Sequence, residues 1–90
     1  MNCIELFPSP SHCIETAARE AYWNSVNRYM GSGQENKELE QRIELLKSFL
    51  ESADFRKLRS ESESHLIEGK IVKFIIYWES GKPSYEMVVT

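Results

Sequence analysis

The stretch that most constrains how this chain can fold is Lys70 to Glu79, read as Lys-Ile-Val-Lys-Phe-Ile-Ile-Tyr-Trp-Glu. β-Branched and aromatic residues at this density favour a pleated, half-buried strand. Its partner is Lys82 to Thr90, and the Ser80-Gly81 between them suits a two-residue hairpin turn, because Gly accepts the positive φ such a turn requires. A loop of that length sets Ile76 opposite Tyr85, Phe74 opposite Met87 and Val72 opposite Val89. With Trp78, these residues make one apolar face. A slip of one residue would put Ile76 against Glu86 and destroy that face. The opposite face carries Ile71, Lys73, Ile75, Tyr77, Ser84, Glu86 and Val88. It is too apolar for plain solvent and too charged for a deep core. Ile71, Ile75, Tyr77 and Val88 are therefore the candidate protein-contact residues, with Lys73 and Glu86 placed as diagonal neighbours to pair at the rim. In a two-layer fold this patch needs a cover, whether the Ile4 to Phe7 segment, a third helix or a second copy of the chain.

An isolated hairpin is marginal in water and wants a third strand or a helix layer. Cys3-Ile4-Glu5-Leu6-Phe7 offers a short strand, stopped by Pro8 and Pro10; the alternative is an extended arm over the core. Ser9-Pro10 reads as an N-cap and first helical residue, opening a helix from about Pro10 to Met30. Its stripe is Ile14, Ala18, Ala21, Tyr22, Ser25 and Tyr29, widened by Trp23, Val26 and Met30. Gly31-Ser32-Gly33 ends it, with Gly31 as the left-handed residue after the last turn. From about Asn36, the residues Leu39, Ile43, Leu46, Leu50 and Ala53 follow a heptad-like spacing. That seam fits one arm of an antiparallel helical hairpin, with self-association as the alternative, and Leu45 and Phe49 widen it, which favours packing on two neighbours rather than one. Ser52-Ala53-Asp54 marks a break and restart. Phe55, Leu58, Ser62 and Leu66 then share a face, and Gly69 suits the position after a helix end. Because Arg59 to Ser64 also alternates with period two, an edge strand competes with this third helix; the helix is the favoured reading. The expected fold is a single α+β domain over residues 1–90: an N-terminal helical hairpin with a third helix, packed on a C-terminal antiparallel β-hairpin, with a short N-terminal strand as an addition.

Function is bounded more than identified. Eleven Lys and Arg against 14 Asp and Glu give a net charge of −3, which disfavours a general nucleic-acid binder. One local exception is Arg56, Lys57 and Arg59, which with Lys47 form a candidate anion contact suited to a phosphate or an acidic peptide. Cys3 and Cys13, ten positions apart, match neither a zinc spacing nor a disulfide scaffold and read as free thiols in a reducing cytoplasm. No basic N-terminal region suggests a signal peptide, and no apolar run approaches the roughly 20 residues of a membrane helix. The four glycines fit turns and helix ends and match no phosphate-binding loop. His12 and Cys13, adjacent on a helix, would project about 100° apart and so cannot form a nucleophile–base pair with each other. His65 reads as an ordinary residue near an element end. Glu38 and Arg42 make a weak helix-supporting pair and Glu40 with Glu44 a repulsive one. Tyr22, Trp23, Tyr29, Tyr77, Trp78 and Tyr85 divide between core packing and a contact surface. No catalytic, cofactor-binding or metal-binding residue is assigned. The leading expectation is a small cytoplasmic, non-catalytic binding or regulatory module that acts through protein contacts, with self-association as a homodimer one form of that contact. The alternative is a nucleic-acid-associated regulator using the Arg56 to Arg59 patch.

Overall fold

The computed structural model describes residues 3–31 and 36–90. Its elements run β1 (Ile4–Leu6), α1 (Ile14–Gly31), α2 (Lys37–Ser52), α3 (Phe55–Ile67), β2 (Val72–Glu79) and β3 (Lys82–Val89). The three strands form one antiparallel sheet in the order β1-β2-β3. The hairpin has the expected register, with Val72 opposite Val89, Phe74 opposite Met87 and Ile76 opposite Tyr85. Ser80 and Gly81 both take positive φ, 52° and 78°, as the primed turns that match strand twist require. The N-terminal segment forms the third strand rather than an arm over the core, pairing Ile4 with Ile76 and Leu6 with Phe74.

Alternation decides what the sheet buries. Ile4, Leu6, Val72, Phe74 and Ile76 point to one side and are buried with Ile14, Ala18, Leu45, Leu46, Phe49 and Leu58. All three helices therefore pack on that side, α2 against β2 and β3, α3 against β2, and α1 against β1. The aromatic rings of Phe49 and Phe55 meet edge-on at 5.5 Å across the α2–α3 junction, and Phe74 lies 5.8 Å from Tyr85. The result is an α+β fold with two layers.

Several local expectations are corrected. The first helix opens at Ile14 and not at Pro10, because Ser9 and His12 close a tight turn first. Ser9 and His12 exchange backbone hydrogen bonds of 2.8 and 3.0 Å, and Ser9 Oγ accepts from the His12 N–H at 3.1 Å. Gly31 is the last residue of α1 and has no positive φ, so it is not a left-handed cap; the Ser32-Gly33 part of that break lies outside the described residues. Trp23 and Met30 do not widen a buried stripe, being 60% and 62% exposed. On α2 the deepest residues are Leu39, Leu45, Leu46 and Phe49, with Ile43 and Leu50 half-buried. Leu45 and Phe49 widen the apolar face as expected, and α2 packs on both α1 and the sheet. Asn36 caps α2 by accepting from the Leu39 N–H at 3.1 Å, and Asp54 caps α3 by accepting from the Lys57 N–H at 3.2 Å. Gly69, at φ 80°, ends α3, and residues 55–67 are a helix, not an edge strand.

Candidate functional site

The outward face of the sheet follows directly from the register. On β2 it carries Lys73, Ile75 and Tyr77, with Ile71 just before the strand, and on β3 Ser84, Glu86 and Val88; Glu5 of β1 lies beside Ile75. The alternation continues to Phe7, beyond β1, which is 56% exposed, while Ile71 is 62% exposed. The four candidate contact residues Ile71, Ile75, Tyr77 and Val88 thus do share one face. None of the elements formed by the described residues packs on it, since the helices occupy the other side. β1 lies beside β2 and enlarges the face instead of covering it. The expected rim pair is corrected: the Lys73 Nζ is 3.2 Å from a Glu5 oxygen, supplied by the neighbouring strand, rather than bonded to Glu86. Glu86 makes no ion pair among the described residues.

The basic quartet is less coherent. Arg56 and Arg59 line one hollow between the start of α1 and α3, along with Cys13, Ile14, Glu15 and Glu63, and Lys47 and Lys57 do not line it. Acidic side chains are therefore interleaved with the two arginines. His12 is engaged elsewhere, its Nε2 3.0 Å from Glu20. Cys13 caps α1, its carbonyl accepting from the Ala17 N–H at 3.0 Å, and its Sγ is 3.4 Å from the Thr16 hydroxyl. The Thr16 hydrogen bond holds that thiol below its ordinary pKa. Cys3 and Cys13 are both free. Among the described residues no cluster of His, Cys, Asp or Glu has the geometry to hold a metal ion, and no helix is long and apolar enough to cross a membrane.

The aromatic residues divide between roles. Tyr85 packs on Phe74, and its hydroxyl donates to Glu61 at 3.4 Å; burial, then Glu61, push its pKa upward. On α1, Tyr22 stacks edge-on with Trp23 at 5.3 Å, and Tyr29 donates to Glu40 at 2.7 Å. That hydrogen bond raises the Tyr29 pKa.

One arrangement is absent from any reading of the sequence. Arg42 does not pair with Glu38. Its Nε donates to Ser25 Oγ at 3.0 Å, and the Ser25 hydroxyl donates to the Ala21 carbonyl at 2.8 Å. Ser25 is only 2% exposed, so this chain of bonds fixes the guanidinium against α1. Arg42 and Arg28 together line a cavity of about 250 Å³ with Cys3, Ile4, Asn36, Glu38, Leu39 and Leu45. The one signal in the sequence is Ser25, a polar residue inside an apolar stripe, where a buried hydroxyl must find partners. Neither a curated protein nor a solved structure gives a significant match to the chain. One protein-family model does match, over residues 3–89, and the chain belongs to that family.

Proposed function

We propose that the protein is a small non-catalytic binding module that acts through protein contacts, and that its contact surface is the helix-free face of the sheet, docked against a second copy of the chain. The observation that supports this reading is the position of Ile71, Ile75, Tyr77 and Val88 on one face with no covering element among the described residues. Ile71 is exposed and Ile75, Tyr77 and Val88 are half-buried, and contiguous apolar surface left partly open in this way marks interaction sites more often than idle surface. A second copy is the chosen occupant because the face is self-complementary in charge. Glu86 offers a carboxylate outside any ion pair among the described residues, and Lys73, held by Glu5, keeps two N–H donors for a carboxylate on a facing copy. A two-fold contact would use the same patch twice.

The footprint sets the strength expected. Two strands of eight residues and one of three, about 4.8 Å apart and rising about 3.3 Å per residue, span roughly 300 Å² on each copy. At about 600 Å² over both copies, that is well under the roughly 1,200–2,000 Å² of stable interfaces, so the pair should be weak and form only at high concentration. The test is Ile75→Glu combined with Tyr77→Lys. The variant should keep native helical circular dichroism and remain monomeric at concentrations where the native chain dimerises. A native-like mass for a folded variant would contradict the assignment, and outright unfolding of the variant would show these residues to be core. Cytoplasmic placement belongs to the same reading and rests on the two free thiols.

A further inference from the structure

We infer that the cavity between Arg28 and Arg42 is a binding site for a phosphate group, either free or carried on a small monoester. The site is separate from the sheet face, so either proposal can fail without the other. Three observations carry it. First, Arg42 is pre-oriented. Its Nε is spent on Ser25 Oγ at 3.0 Å, and Ser25 is itself buried and bonded to Ala21. The guanidinium is thus held in one orientation with both Nη groups left to donate, which lowers the ordering cost of binding.

Second, neither arginine is ion-paired among the described residues. Arg28 and Arg42 line the same cavity. Two carboxylates in the adjoining hollow that both arginines also line are engaged elsewhere, Glu5 by Lys73 at 3.2 Å and Glu20 by His12 at 3.0 Å. Glu38 lines the cavity and is the one internal competitor among the described residues. Burial and then the nearby Arg28 hold the Arg42 pKa below its usual value, the direction expected when a cation is partly desolvated beside a second cation.

Third, the space fits the ligand. At about 250 Å³ the cavity has room for about eight waters at their liquid share of roughly 30 Å³ each, and falls just short of the roughly 300 Å³ where drug-sized pockets begin. A phosphate with a small organic body fits these limits. Phosphate is favoured over carboxylate because two guanidiniums match a dianion, and its tetrahedral oxygens can accept from two separate planar forks.

The experiment titrates the full chain at low salt with inorganic phosphate, methyl phosphate, acetate and chloride, following the arginine Nε–H resonances by NMR alongside calorimetry. Either phosphate should shift the Arg42 and Arg28 signals saturably, with acetate at least about 10-fold weaker. Tighter binding of methyl phosphate identifies a monoester ligand, and the reverse order identifies free phosphate. Arg28→Gln and Arg42→Gln should each weaken binding by about 10-fold or more, the loss of one charge-assisted contact. Glu38→Gln should tighten binding by removing the competing carboxylate. If Arg42→Gln fails to fold, the exposed Arg28 and the native-chain resonances still decide the matter. Arginine signals indifferent to phosphate, an equal response to chloride, or native affinity in folded Arg28→Gln would overturn the assignment.

Discussion

Phe74 is fully buried at the centre of the middle strand, packed by Tyr85 on the neighbouring strand. Truncating such a ring costs both its transfer free energy and a cavity, so Phe74→Ala should destabilise the fold by about 3–5 kcal/mol. Glu86→Ala, on the opposite face, should change stability by no more than about 0.5 kcal/mol. Chemical denaturation that ranked the two the other way would reverse the faces of the hairpin. Tyr85 gives a second test at this scale. Its pKa is raised by burial and by Glu61, so the folded state prefers the neutral phenol. The stability this contributes is fully present below the unfolded pKa of about 10 and is lost as pH rises through the higher folded value. Tyr85→Phe should therefore flatten the alkaline part of the stability curve, and it should remove a late-ionising phenol from the absorbance titration of the native chain. A variant whose alkaline stability and titration both match the native chain would contradict the Tyr85 assignment. Hydrophobic alternation makes the Phe74 environment readable from sequence, because strand geometry alone sends Val72, Phe74 and Ile76 to one side. Arg42 is not readable in that way. At helical spacing its natural partner is Glu38, and only the packing of α2 on α1 brings Ser25 within 3.0 Å.

At the scale of elements, the hairpin is the most legible part because a two-residue turn fixes its register locally. The turn offers a clean comparison of glycines. Gly81 sits at φ 78° with no atom within 4 Å of where a Cβ would stand, so Gly81→Ala should cost about 1–2 kcal/mol from backbone strain alone. Gly31, equally uncrowded but helical, should behave oppositely, with Gly31→Ala stabilising by up to about 1 kcal/mol. Thermal melts giving the same sign for both would contradict the turn geometry. The start of α1 is misread from sequence because Ser9-Pro10 carries the chemistry of a helix cap, yet Ser9 Oγ is used on the His12 N–H to close a turn. The apolar face of α2 is legible, because Leu45 and Phe49 beside the heptad-spaced residues widen it enough to meet both α1 and the sheet. The α3 basic residues also yield a test. Reversing Arg56, Lys57 and Arg59 to Glu should leave the mass and fold unchanged. Salt-sensitive binding of duplex or single-stranded nucleic acid by the native chain, abolished in that variant, would instead favour the nucleic-acid alternative.

For the whole molecule, the organising fact is asymmetry: three helices share one side of a three-stranded sheet, and the other side is left to Ile71, Lys73, Ile75, Tyr77, Glu86, Val88 and Phe7. The sequence makes the composition of that second face legible but not its cover, because the pairing of Ile4 with Ile76 joins residues far apart in the chain. With β1 at the sheet edge and α3 on the helical side, neither of those elements covers the face, and our proposal is that a second copy of the chain does. The molecule has extents of 43 × 28 × 21 Å and a radius of gyration of 13.5 Å, somewhat above the roughly 12 Å of a typical compact chain of this length. The most direct test of the central claim is sedimentation equilibrium of the native chain over a wide concentration range. The account predicts a reversible rise from the 10.5 kDa of one chain toward twice that mass, with the Ile75→Glu, Tyr77→Lys variant fixed at the lower value. A native chain that stays at 10.5 kDa up to millimolar concentration would contradict it.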